Sequence, residues 1–349
     1  MVNSDLNARQ MYEGIIKRKL LIILVLIVFI LISIVINLFV GSADYNFTQT
    51  IKALFRTTED EVSIFVIWRL RMPMALSAVV IGAALGMGGC EMQTVLRNPM
   101  ASPYTLGISS AASLGAAIAI ILKFSIIPGV GTVLVTINSF VFTLFAAGIL
   151  YLFSKSQDAD KNTLILFGIA MNFLFGSLTQ LLQFIADETD LQSLVFWGFG
   201  SLNKVDWNKL SIMTIITIFC GFAFSRNIWK LTAMSLSDES AISLGVDVKK
   251  TRRNVIFIIA LLSAAAVSFA GTIGFVGLVA PHIARMLCGE EQRYFLTTSA
   301  LAGALLLSVA SIVSKSLVPG TILPIGLVTS LIGIPFFAIL IFKRKRRYT

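Results

Sequence analysis

The chain has 349 residues, of which 56% are hydrophobic and only 13% charged. Soluble domains are about half apolar and about a quarter charged, so this balance excludes an ordinary soluble enzyme or binding module. The net charge of +10 would by itself admit nucleic acid as a partner, but the basic residues fall between long apolar blocks, which excludes that reading too.

Crossing a bilayer as a helix takes about 20 apolar residues. Residues 1–19 form a polar N-terminal segment. The first apolar block, Leu20–Val40, is longer than a signal-peptide core of about 7–15 residues and lacks a small-residue cleavage site, so a retained transmembrane helix is predicted. Further helices are predicted near 73–95, 104–122, 130–153, 162–186, 207–225, 254–272, 274–289, 295–314 and 322–342. The expectation is therefore an all-α integral membrane domain over 20–342, with ten helices, both termini on one side and a basic tail at 343–349. With the termini inside, the cytoplasmic segments collect 20 of the 28 basic residues. The positive-inside rule fixes that orientation.

Two polar stretches interrupt the apolar pattern. In the outer segment 187–206, Trp197, Gly198 and Gly200 predict an interfacial helix and turn with the indole at headgroup level. The cytoplasmic stretch 226–253 contains SDESAISLG, a short amphipathic helix that Ser237 or Asp238 can cap and Gly245 can end. It reads either as a solvated loop or as a docking helix for a cytoplasmic partner, and its brevity between membrane helices favours the second. In RNPMASP (97–103), Pro99 and Pro103 forbid a continuous helix and Asn98 can satisfy freed backbone groups.

Catalytic and cofactor motifs are missing. There is no GxxxxGK[ST] phosphate loop. A single histidine, His282, cannot build a His-rich metal site or a hydrolase triad. Cys90, Cys220 and Cys288 have no metal-like spacing and read as inert buried thiols. Carboxylates avoid the spans except Glu91, which disfavours an ion-coupled carrier; His282 would be almost its only titratable relay. His282 follows Pro281, which cannot donate to the carbonyl of Gly277, so a break or kink is predicted there. The histidine then bonds the released backbone or a neighbouring helix, or else serves a substrate or proton path. The glycines of GAALGMGG and GTIGFVG predict close helix contacts.

RLRMPMALSAVVIGAALGMGGCEMQTVLRNPMASPYTLGISSAAS (69–113), SLSDESAISLGVDVKKTRR, AGTIGFVGLVAPHIARMLCGEEQR (270–293) and LPIGLVTSLIGIPFFAIL (323–340) together resemble the FecCD-type (BtuC-like) permeases. These are membrane subunits of ABC importers for iron–siderophores, haem and cobalamin. The resemblance implies a BtuC-like fold in a bacterial cell membrane, embedded in lipid, and no cofactor or enzymatic activity in this chain. It implies a second permease subunit, identical or paralogous, cytoplasmic ATP-binding cassette subunits and an extracellular or periplasmic substrate-binding protein. It places Arg69, Arg71 and Lys315 at the outer mouth, meeting acidic residues of the binding protein; headgroup contact or snorkelling is the other reading. Leu236, Ser237, Asp238, Glu239, Ala241, Leu244 and Gly245 become the ATPase-coupling segment. Asn98 and Met100 become the inner gate, with Asn162 and Thr163 facing them. Gln93, Pro99, Pro281, His282 and Arg285 are structural signature residues. The chain departs from the family pattern at Met74, Ser311 and Ile322, which predicts an altered docking surface. The substrate implied is a bulky Fe(III)–siderophore, with haem or cobalamin as the alternative.

Overall fold

The computed structural model describes residues 2–41, 45–124, 126, 132–155, 161–318 and 320–345. Met1, the first two positions of the helix predicted over 130–153, and 346–349 of the basic tail lie outside the described residues. All regular structure among the described residues is helical. Helix α1 (Val2–Phe39) is followed by two short helices, α2 (Phe47–Leu54) and α3 (Glu61–Phe65). The Asp60 carboxylate caps α3 by accepting from the Val62 and Ser63 amides. A wider π-helical turn, Val66–Arg71, then runs into α4 (Met72–Leu96).

The remaining helices are α5 (Ile108–Ile121), α6 (Thr132–Phe153), α7 (Lys161–Ile185), α8 (Glu188–Gly198) and α9 (Trp207–Ser225). They are followed by α10 (Ile228–Leu236), α11 (Asp238–Ser243), α12 (Val248–Ala270), α13 (Val276–Cys288), α14 (Gln292–Ser316) and α15 (Ile325–Lys345). Seven of the predicted spans are helices long and apolar enough to cross a membrane. The predictions at 104–122, 274–289 and 322–342 correspond to shorter apolar helices: α5, α13 and Ile325–Phe336 within α15.

The shortfall has a physical cause. The 14 residues of α5 rise only about 21 Å, against a hydrocarbon core of about 30 Å. Residues 97–107 precede it as irregular chain, closed by Gly107 at φ 78°. Non-helical backbone at membrane depth survives only where protein covers it or it lines a cavity. Here Ala101, Ser102, Pro103 and Leu106 are all buried. The chain before α13 is likewise irregular and ends at Phe275, with φ 65°. Of the break or kink predicted at Pro281, the break does not occur: α13 runs as one helix through the proline.

Helix α4 forms the centre of the bundle and is buried over most of its length. Its glycines let neighbouring backbones approach. A Cβ on Gly82 would lie 2.3 Å from the Gly303 carbonyl oxygen of α14, and one on Gly89 only 1.7 Å from that of Gly277 in α13. Without side chains at these points, α13 and α14 pack directly on α4. Trp197 departs from expectation. It is not at a headgroup surface but 6% exposed, packed with Ala112, Ala116 and Val267. By contrast α1, α7 and α9 turn leucine, isoleucine and phenylalanine outward, including Phe173, Phe184, Ile215 and Ile218.

Candidate functional site

One end of the bundle gathers the loop after α4, the α10–α11 segment and the α13–α14 turn; we call it the basic end. There Arg97 closes α4 in the left-handed region at φ 48°. The Asn98 amide returns to the Gln93 carbonyl at 3.1 Å. The Asn98 side-chain oxygen accepts from the Met100 amide at 2.9 Å, making the tight turn that the two prolines require. Ser102 and Thr105 then bond each other through backbone and hydroxyl groups. The loop is a hydrogen-bonded turn with Met100 exposed at its tip. Asn162 and Thr163 lie in the first turn of α7, which approaches this loop further along, where Gly168 packs on Leu106.

Beside the loop is a polar cavity of about 670 Å³, lined by Gln93, Asn98, Pro99, His282 and Arg285 among others. Four of the five predicted signature residues thus line one space with a predicted gate residue; Pro281 is buried within α13. Gln93 holds the cluster, donating to the Leu278 carbonyl at 3.4 Å and accepting from Arg285 Nη2 at 3.1 Å. Arg285 also stacks over Phe295, and its Nε lies 2.7 Å from Glu290 Oε1, as an ion pair rather than an aligned hydrogen bond. Behind this wall, Gln292 donates to the fully buried Glu91 and accepts from Thr94 Oγ1. The second Glu91 oxygen has no hydrogen-bond partner among the described residues.

Helix α11 forms as predicted. Ser237 Oγ accepts from the Ser240 amide at 2.9 Å, and Gly245 leaves the helix at φ 79°. Glu239 is exposed, and its carboxylate is held below the usual range by its own backbone amide and then by Ser237. Ala241 is buried, whereas Leu236, Ile242 and Leu244 are 63%, 63% and 52% exposed. One connection is absent from the sequence reading. Arg252, from the first turns of α12, is buried and holds Asp238 with Nη2 at 2.9 and 2.8 Å, while its Nε donates to the Val95 carbonyl of α4 at 2.9 Å.

A second cavity, about 430 Å³ and mainly apolar, runs from Ser102 and Tyr104 to Phe199, Thr272, Phe275 and Leu327. Its far end is tied by backbone bonds: Ser201 to Ala270, Ile325 to Gly200 and Gly326 to Phe199.

At that far end, the three predicted docking cations separate. Arg69 is exposed. Arg71 and Lys315 are not at a rim: they are 5% and 4% exposed. Arg71 Nη1 donates to the Leu38 and Phe39 carbonyls at 2.8 and 3.2 Å, and Lys315 Nζ donates to the Asn37 backbone and side-chain oxygens at 3.1 and 2.9 Å. Both cations cap the last turn of α1, whose carbonyls lack helical partners and carry the negative end of the helix dipole. Ser311 joins this network through Asn37. Met74 is buried and Ile322 half-buried, so of the three departures from the family pattern none stands as a fully exposed surface residue.

The FecCD transport family profile matches residues 26–343. The chain belongs to the FecCD transport family. It is 35% identical over 323 residues to the hemin transport system permease HmuU of Yersinia pestis, covering 91% of this chain and 96% of that one. It is 34% identical over 323 residues to the molybdate import system permease MolB of Haemophilus influenzae, covering 91% and 94%. A solved structure described as an inward-facing metal-chelate-type ABC transporter superposes with a TM-score of 0.81 at 32% identity, covering 92% of this chain and 99% of that chain. This FecCD chain is thus a multi-pass permease subunit of an ABC transporter in the cell membrane, and ATP hydrolysis belongs to separate subunits.

Proposed function

We propose that the chain is one permease subunit of an importer that carries a bulky metal chelate, an Fe(III)–siderophore, into the cytoplasm by alternating access. Its partners are a second permease subunit, cytoplasmic ATP-binding subunits and an outer substrate-binding protein. The observation that carries this reading is α11. A capped six-residue helix with exposed Ile242, flanked by exposed Leu236 before it and Leu244 after it, leaves an apolar surface that a cytoplasmic partner would cover. The positive-inside rule puts this basic end in the cytoplasm. In the proposed cycle the loaded binding protein docks at the far end, where Arg69 steers it. ATP binding moves segment 236–247, and the plug at Asn98 and Met100, with Asn162 and Thr163 opposite, opens.

The cavity from Ser102 to Leu327 supports the substrate class. It presents hydroxyls and apolar side chains and has no cation in its lining, which suits a large, charge-dispersed chelate better than a small oxyanion such as molybdate. Haem or cobalamin passes the same test and is the second reading, favoured by the hemin relative. Reconstitution with the ATPase and binding protein tests all of this. Radioiron-labelled siderophore uptake should require ATP and exceed uptake of haem, cobalamin and molybdate. Uptake that persists without ATP and follows a pH gradient would overturn the proposal.

A further inference from the structure

Arg252 is the one described side chain that bonds both α11 and the end of α4. Among the described residues the other hydrogen bonds of α11 stay local: Ser237 and Ser240 bond each other, and Ser243 bonds Glu239, while Arg97 acts on Glu239 only through its charge. Helix α4 ends at Leu96, and the next residues are the plug. We infer that Arg252 is the positioning residue that transmits movement of the 236–247 segment to the plug at 97–103. This inference rests on the coupling and gating roles proposed above.

The geometry suits transmission. The guanidinium is planar and always charged; its Nη2 donates to both Asp238 oxygens while its Nε faces α4, and two donors held in one rigid plane fix orientation as well as distance. Its Nε takes the Val95 carbonyl, one of the last four of α4 that no helical amide can reach. The guanidinium therefore lies between the first residue of α11 and the last turn of α4. The side chain is 5% exposed and the Asp238 side chain 31%, so water competes little at the guanidinium. The Asp238 carboxylate also occupies the N-terminal turn of α11, where a negative charge is favoured by the helix dipole. A pull on α11 reaches the plug through one rigid group, because Arg97 and Asn98 follow directly and are bonded back to Thr94 and Gln93. Lysine cannot replace this arrangement: its donors all sit on one Nζ, which cannot stand at the Nε position facing Val95 and the Nη2 position facing Asp238 together.

The test uses the full transporter complex in liposomes, with the wild-type, Arg252→Lys, Asp238→Asn and doubly substituted chains. Uptake and ATP hydrolysis are measured in the same preparation. Each single substitution should lower uptake per ATP at least about tenfold, equivalent to about 1.4 kcal/mol, with hydrolysis retained; the double substitution should add little more. Spin labels at Ser243→Cys and Met100→Cys, with Arg252 and Asp238 intact, give a second measurement. Their separation should stay fixed between the nucleotide-free and ATP-trapped complexes, while each label moves relative to a third on α9. Unchanged uptake per ATP in the substituted complexes would overturn the inference. So would a Ser243–Met100 separation that changes with nucleotide, which decides the matter even if the substituted chains do not assemble. Absence of ATP-dependent uptake in the wild-type complex would instead sink the importer reading itself.

Discussion

Arg71 and Lys315 show how a basic side chain next to an apolar run can serve the interior rather than the rim. A cation beside an apolar run reads the same in sequence whether it looks outward or turns back to a carbonyl, and the carbonyls that hold Arg71 belong to Leu38 and Phe39 of another helix. No local pattern announces a partner at that separation. Arg71→Met should therefore destabilise the chain by about 1–3 kcal/mol, because it strands two carbonyls at a buried helix end. Arg69→Ala should stay within about 0.5 kcal/mol yet weaken binding-protein affinity, most at low salt. Thermal unfolding in detergent and binding-protein titration separate the two; a large affinity loss with unchanged stability for Arg71→Met would return it to the rim. The glycines were easier to read, since GAALGMGG demands close contact somewhere. Gly89→Ala should cost about 1–3 kcal/mol through overpacking against Gly277. Gly148→Ala, with nothing within 4 Å of its Cβ, should gain up to about 1 kcal/mol from helix propensity. Equal unfolding temperatures for the two would contradict the packing account.

Among the elements, α11 was legible because its signals are local: a serine cap, a short amphipathic run and a glycine exit. The long apolar helices α1, α6, α7, α9, α12 and α14 were legible because length alone decides them. Residues 104–107, 271–272 and 274–275 were not. Where every neighbour is apolar, periodicity does not distinguish a helix from irregular chain packed inside protein, and the prolines fix only that the helix stops somewhere nearby. Arg252 was hidden for another reason. It stands within KKTRR, where a topology signal masks the one basic residue of the run that is buried. The exposed face of α11 makes its own prediction. Ile242→Asp removes an apolar side chain worth about 1.5–3 kcal/mol when covered, so affinity for the ATPase subunits should fall at least about tenfold. The chain's own unfolding temperature should not move, because Ile242 is 63% exposed within the subunit. Co-purification with full-strength ATPase binding would mean that nothing covers this face.

At the scale of the whole molecule, exposure alone does not separate the surfaces that meet lipid from those that line a passage. Ile218 on α9 is 67% exposed and Leu327 on α15 is 43% exposed, and both are aliphatic. Their surroundings differ. Ile218 stands near the middle of a 19-residue span whose outward neighbours Ile215, Phe219 and Phe222 are all apolar. Leu327 borders the cavity with Ser330, Thr272 and Ser102, whose hydroxyls keep water within reach. A lysine facing hydrocarbon near the bilayer centre costs about 2.5–3.5 kcal/mol on insertion scales, whereas one facing a water-filled passage costs far less. Ile218→Lys should therefore reduce the amount of folded chain in the membrane. Leu327→Lys should insert and assemble normally, retain ATP hydrolysis and lose uptake, because a fixed charge then obstructs an otherwise uncharged passage. Measured membrane yield and uptake per ATP give the answer for both. If Leu327→Lys fails to insert while Ile218→Lys is tolerated, then α15 faces lipid, α9 faces the passage, and the cavity from Ser102 to Leu327 is not the route of the chelate.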